Sequence, residues 1–221
     1  MIDFAQARKA MVDNQLRTLS VTDRRLLLAI GEVPRERFVS EARRPLAYID
    51  EAHPLAGAPG RFLPAPAPFA RLLQLAEIKH SDHVLDVGTG NGYSAAVLSH
   101  LATSVVAVEG HSTLAGDARQ ALAGLGAGNV SVIEGSPEAG AKGQGPFDVI
   151  VIEGTVREVP QALLGQLKDD GRLVALVAEP GRPAVAHVFA RSGKGIAARA
   201  EFDATLPPLP GSANKPDAFV F

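Results

Sequence analysis

The chain has no cysteine, and among its 221 residues there are only two tyrosines, two methionines and no tryptophan. The first absence excludes disulfides, thiolate metal sites and a cysteine nucleophile, and it suits a cytoplasmic home. An excess of one charge is missing too: 22 Lys and Arg stand against 24 Asp and Glu, a net charge of −2. No global field therefore draws the chain to nucleic acid or to an anionic membrane. The basic pairs Arg24-Arg25 and Arg43-Arg44 fall among comparable numbers of acids and read as a solvated face. No apolar run approaches the roughly 18 residues of a membrane span. Residues 1–9 carry charge where a secretory signal needs an apolar stretch. The six histidines are scattered, and although His80 and His83 lie close together, no metal site is expected there. What remains is 46% hydrophobic, ample for the core of one domain and far from the disordered regime.

The most informative stretch is Val84-Leu85-Asp86-Val87-Gly88-Thr89-Gly90-Asn91-Gly92-Tyr93. Apolar residues around one acid read as a short buried strand. Gly88, Gly90 and Gly92 then allow a tight turn and a close approach to a ligand that a Cβ would block. A helix is expected over 93–101, packing through Ala95, Ala96, Val97, Leu98 and Leu101. Strand, glycine loop and helix N-terminus make a nucleotide-binding corner. The next strand, 104–108, ends in Glu109, roughly 20 residues past Asp86, where a carboxylate can accept both ribose hydroxyls. The dinucleotide fingerprint spaces its last glycine more widely than this chain does. The closer Gly-x-Gly-x-Gly spacing, with Asp86 just before it, resembles the first motif of S-adenosylmethionine-dependent methyltransferases. Asp86 suits that cofactor because its methionine end carries an ammonium and a sulfonium.

The rest of the chain is organised around this corner. Residues 1–50 read as helices, with Thr22 as the expected N-cap of the second and Gly31 as its stop. Residues 52–68 are dense in Pro, Gly and Ala and read as a packed loop over a pocket. A helix is expected from Pro68 to Ile78. Beyond Glu109, helices at 113–125 and 159–167 alternate with strands at 129–133, 147–152 and 173–178. This predicts an α/β, Rossmann-like doubly wound sheet, mostly parallel. Antiparallel edge strands are expected at 185–190, 196–204 and 218–221, with Leu206-Pro207-Pro208-Leu209-Pro210-Gly211 as an irregular connection. One domain over 1–221 is expected: N-terminal helices and a substrate-covering loop (1–68), a cofactor-binding core (69–178), and edge strands with a tail (179–221).

Residues from about 8 to 178 resemble the protein-L-isoaspartate O-methyltransferases. The likeness rests on Arg8, Met11, Val12, Gln15 and Leu16, on Val33-Pro34-Arg35-Glu36-Arg37-Phe38-Val39, and on Ala47-Tyr48-Ile49-Asp50. The glycine loop, Pro146-Phe147-Asp148, Val159-Pro160-Gln161-Ala162-Leu163-Leu164 and Gly171-Arg172-Leu173 extend it. The resemblance implies methylation of the free α-carboxyl of an isoaspartyl residue in a protein or peptide, a protein-repair reaction with S-adenosyl-L-methionine as cofactor. A carboxylate is already ionised at pH 7, so no general base is needed, and positioning and desolvation carry the catalysis. The cofactor-binding candidates are Asp86, Gly88, Thr89, Gly90, Asn91, Gly92, Glu109, Gly135 and Ser136. The last two stand where the family often has Gly-Asp-Gly, whose acid reads the adenine end.

The substrate loop departs from the family. Where it typically has Gly-Gln-Thr-Ile-Ser-Gln-Pro, with two hydroxyls facing the reacting carboxylate, this chain has Gly60-Arg61-Phe62-Leu63-Pro64-Ala65-Pro66. Phe62 and Pro64 offer no side-chain hydrogen bond. Each lost bond to a charged group is worth about 1.5–3 kcal/mol, so turnover on an isoaspartyl peptide is expected to be far below the family's norm. Arg61 is either a replacement carboxylate anchor or a solvated loop arginine. Arg61, Phe62 and Pro64 are the candidate catalytic-loop positions, and Phe62 is expected to be buried near the glycines. Glu153, after the strand at 147–152, either faces the acceptor, repelling a carboxylate or binding a cation, or is a solvated strand-end acid. Three functions stay open: an isoaspartyl methyltransferase, a methyltransferase with a changed acceptor, and a non-catalytic S-adenosylmethionine-binding regulatory or interaction protein.

Overall fold

The computed structural model describes residues 2–179 and 181–210. The chain opens with α1 (Phe4–Met11), capped by Asp3 through Gln6 N at 3.0 Å. It widens into one π turn, Val12–Leu16, before α2 (Arg24–Glu32). Asp23, not Thr22, caps α2, accepting from Arg25 N at 2.8 Å and Leu26 N at 3.2 Å. Thr22 N instead donates to Gln74 Oε1 at 2.7 Å, a tertiary contact that overrides its local capping preference.

The loop after the N-terminal helices is not wholly irregular. His53–Pro54 (β1) and Phe62–Leu63 (β2) pair antiparallel. α3 (Pro66–Leu75) starts earlier than expected, because two prolines suit a helix's first turn and Asp50 accepts from Ala67 N at 2.8 Å. Next come β3 (His83–Val87), α4 (Tyr93–Ser99), β4 (Ser104–Glu109), α5 (Ser112–Gly124) and β5 (Val130–Glu134). β6 (Phe147–Val156), α6 (Gln161–Leu164), β7 (Leu167–Val177), β8 (Val185–Ser192) and β9 (Gly195–Asp203) complete the order. The expected helix over 159–167 is reduced to α6, because Leu167 is drawn into β7 opposite Phe147. The expected strand at 218–221 lies outside the described residues.

The seven-stranded sheet runs β5-β4-β3-β6-β7-β8-β9. β3 to β7 are parallel, and β8 and β9 close the edge as an antiparallel meander. Val84, Val105, Val149 and Val174 pack one face against the N-terminal helices, α3 and α4. Leu85, Val87, Ile150, Ile152 and Leu173 pack the other against α6 and Leu209. Burial on both faces explains why β3, β4 and β6 read as near-continuous apolar runs. Strand order reverses between β3 and β6, and ligands of such sheets sit outside the carboxyl ends at that switch point.

Two features shape that end. β6 outruns its expected limit through a bulge between Val151 and Thr155, and Glu153 lies inside it. The segment 206–209 then folds back onto the bulge. Thr155 N donates to Pro207 O at 3.0 Å, Thr155 Oγ1 to Leu206 O at 2.7 Å, and Leu209 N to Thr155 O at 3.0 Å. Gly154 makes this possible: φ is +153°, and a Cβ there would lie 3.0 Å from Pro207 O and 3.1 Å from Leu209 N.

Candidate active site

β3 delivers Asp86 and the glycine loop to the switch point. Gly88, Gly90 and Gly92 take φ of +82°, +61° and +94°, conformations that a side chain would strain. A Cβ on Gly92 would also lie 3.1 Å from Ala118 of α5, so this glycine sets the spacing of α4 and α5. Asp86 is fully buried; its Oδ2 accepts from Ser94 Oγ at 2.7 Å, and Ser94 Oγ lies 3.1 Å from Thr89 Oγ1. Asp86 Oδ1 is shielded and has no hydrogen-bond partner. Burial, partly offset by Ser94 and Thr89, pushes the carboxyl up to about 6. Asn91 turns its amide to Phe38 O at 2.7 Å, tying the loop to the N-terminal region.

β4 delivers Glu109, which is 1% exposed. Its Oε1 accepts from His111 N at 3.0 Å and its Oε2 from Gly90 N at 2.8 Å. Oε2 also accepts from Arg61 Nη2 at 2.5 Å, and that nitrogen donates to Gly88 O at 3.0 Å as well. Arg61 is thus not a solvated loop arginine: it is 7% exposed and inserted into the glycine corner. Its Nε is shielded and unpartnered. Gly135 N donates to Glu109 O at 3.0 Å, and Pro137 packs on Gly110, while Ser136 lies exposed beside them.

Glu153 is not a solvated strand-end acid. Its stem is partly exposed, but both carboxyl oxygens are shielded and unpartnered. Burial, reinforced by the charge on Asp86, raises it well above the usual carboxylate range. Phe62 is 39% exposed and so not substantially buried, because in β2 Leu63 takes the buried position and Phe62 the exposed one, yet it still lines a cavity with the glycines. That cavity, only ≈ 10 Å³ as it stands, is walled by Leu55, Gly88, Gly90, Tyr93 and Ser94. A second, also ≈ 10 Å³, is walled by Gly60, Arg61, Gly154 and 206–208. Phe62, Pro64 and Glu153 line both. On the far side of Leu209 a wider cavity is lined by Val87, Pro137, Ile152, Val156 and Val159.

Some contributors were not foreseen. Arg35, fully buried, donates to Ala47 O at 2.7 Å and Pro64 O at 2.6 Å, and lies 5.0 Å over the Tyr93 ring. It fixes the Gly60–Pro66 loop against α4, and its place in Val33-Pro34-Arg35 was the available signal. Leu209 covers Gly88, where a Cβ would lie 2.4 Å from Leu209 Cδ1, and Leu55 covers Gly90 at 3.0 Å. Nothing local marked either leucine.

Sheet order, switch point and a glycine corner with two buried acids define a doubly wound α/β protein built to hold a nucleotide-like cofactor. The family model of protein-L-isoaspartate(D-aspartate) O-methyltransferase matches residues 6–206. A protein-L-isoaspartate O-methyltransferase of Koribacter versatilis is 42% identical over 191 residues, 86% of this chain and 85% of the relative. A protein-L-isoaspartate O-methyltransferase 2 of Anaeromyxobacter sp. is 38% identical over 188 residues, 85% of this chain and 76% of that one. A solved protein-L-isoaspartate O-methyltransferase shares the fold with a TM-score of 0.82 at 24% identity, over 93% of this chain and 66% of its own. A Plasmodium falciparum protein described as a protein-L-isoaspartate O-methyltransferase, in complex with S-adenosyl-L-homocysteine, superposes with a TM-score of 0.77 at 21% identity, over 91% of this chain and 97% of its own. The chain belongs to the protein-L-isoaspartate(D-aspartate) O-methyltransferase family.

Proposed function

We propose that the chain methylates the free α-carboxylate of isoaspartyl residues in proteins or peptides, using S-adenosylmethionine, as a repair enzyme of the cytoplasm. Family membership supplies the reaction class and the donor. The observation that carries the reading to these residues is Asp86, a buried acid with one oxygen unpartnered beside three glycines of positive φ. Those groups fit the cofactor. Asp86 would take its ammonium end, the glycine backbone its close approach, and Glu109 its ribose hydroxyls. The separate cavity beyond Leu209, lined by Val87, Pro137, Ile152 and Val156 among others, would offer apolar walls for the base. Among the described residues, no helix is long and apolar enough to cross a membrane.

When bound, the cofactor supplies an electrophilic sulfonium methyl. The chain's own task is to desolvate and orient the acceptor. Phe62, Pro64 and Glu153 stand between the two small cavities, where donor and acceptor would meet. Burial raises the Glu153 carboxyl, which weakens its repulsion of a carboxylate acceptor. No proton has to be removed, since the acceptor is already an anion at neutral pH. The apolar Phe62 and Pro64 favour a second reading, a methyltransferase with a different acceptor. The test is transfer of labelled methyl from S-adenosylmethionine to an isoaspartyl peptide and to its normal aspartyl counterpart. Base-labile label on the isoaspartyl peptide alone is expected. Cofactor binding without transfer to either peptide would select the second reading.

A further inference from the structure

Arg61 sits in the place that the reading above gives to the ribose. A carboxylate offers about four acceptor positions. Glu109 Oε2 already accepts from Gly90 N and Arg61 Nη2, and Oε1 accepts from His111 N. One position is left, and a vicinal diol needs two. The Arg61 guanidinium also stands 3.9 Å from where a Gly90 Cβ would be, in the space before the glycine loop. The pair therefore closes the corner, and a ribose can reach Glu109 only if the guanidinium leaves.

A displaced guanidinium needs an anion. A destination is near, because Arg61 also lines the second cavity, beside Glu153, Phe62 and Pro64, and that small space would widen as the guanidinium enters with its carboxylate. Gly60, just before it, has φ of +77° and no neighbour within 4 Å of a Cβ position, so the backbone there has room. The two loop positions without hydroxyls, Phe62 and Pro64, face this cavity. A planar fork that grips both oxygens of a carboxylate replaces what they lack.

We propose that Arg61 anchors the acceptor carboxylate, and that Glu109 holds it out of use until the cofactor's ribose takes its place. The proposal rests on the acceptor and donor assigned above. It makes binding ordered, donor first, and it couples the two sites through one side chain. Wild-type protein and the variants Arg61→Met and Arg61→Lys are titrated calorimetrically with S-adenosyl-L-homocysteine, then with an isoaspartyl peptide in the presence and absence of that product. Met keeps the packed stem, and Glu109 keeps its two backbone donors, so the fold is retained; a thermal melt checks it.

Arg61→Met should bind S-adenosyl-L-homocysteine about tenfold tighter, since the competing hydrogen bond is gone. Its peptide affinity should fall about 10- to 100-fold, with Arg61→Lys in between. Wild type should bind the peptide only when the product is bound. Unchanged or weaker product binding by a folded Arg61→Met would overturn the gate and leave the donor assignment standing. Peptide binding that survives Arg61→Met would overturn the anchor. Absence of product binding by wild type would remove the donor assignment and, with it, the proposal.

Discussion

Asp86→Asn should make the protein more stable and a poorer cofactor binder. Asp86 is buried with one hydrogen bond from Ser94, and its carboxyl is pushed from 3.8 up to about 6. That displacement corresponds to about 3 kcal/mol held against the ionised form. The sign follows from linkage: the folded value lies above the unfolded one. The stability is fully present below pH 3.8 and is lost as the pH rises through about 6. Asn is never ionised, so the variant avoids the loss. It leaves an amide N–H₂ where Asp86 Oδ1 is unpartnered, at a cost of about 1 kcal/mol or more. The balance at pH 7 is a gain of about 1–2 kcal/mol, or roughly 2–8 °C for a domain of this size. Melting curves from pH 3.5 to 8 should show the variant's advantage growing between pH 4 and 6 and absent below. Calorimetry should show S-adenosyl-L-homocysteine bound about 10- to 100-fold more weakly, because the ammonium loses a charge-assisted partner. S-adenosylmethionine, with its sulfonium charge as well, should lose more. A variant that melts below wild type at pH 7, or binds the cofactor unchanged, would refute the reasoning.

Three further outcomes are expected. Glu153→Gln should flatten the fall in stability above about pH 4.5, since Glu153 is raised by burial and its stability contribution is lost as pH climbs through its folded value; a melting profile identical to wild type across pH 4–8 would contradict it. Gly154→Ala should cost about 2–5 kcal/mol, from an unfavourable φ and a Cβ pressed on Pro207 O, and faster proteolysis of the C-terminal segment should report the loosened contact. The double replacement Phe62→Thr with Pro64→Ser should raise kcat/KM on an isoaspartyl peptide, since each restored hydroxyl adds a bond to the acceptor, unless loss of the Pro64 ring loosens the loop, which a lowered melting temperature would reveal.

The glycine corner was legible because its determinants are local. A strand period, three glycines and a helix face lie within about twenty residues, and each element's pattern reflects burial along one segment. Glu109 was legible because strand–helix–strand spacing places the end of the next strand beside the first. The parallel sheet followed from alternation, and the family from motifs in the N-terminal helices and core. Cap identity and element limits were less legible. Thr22 lost its capping role to Gln74, 52 residues away, and the helix after β6 lost its end to pairing of Leu167 with Phe147.

What tertiary structure alone decided is the state of the side chains in the site. Arg61 and Glu109 are 48 residues apart, and nothing near either predicts that they pair. A loop arginine is ordinarily solvated; this one is inward because β1 and β2 hold its backbone over the glycine corner and Arg35 pins Pro64. Glu153 reads as a strand-end acid, yet a bulge and the 206–209 segment withdraw its oxygens from water, and burial with the charge on Asp86 raises its carboxyl. Sequence determines which groups exist and which segments become strands and helices, because those depend on near neighbours. Pairing, desolvation and protonation depend on what long-range packing brings within a few ångströms, and only the folded chain holds that information.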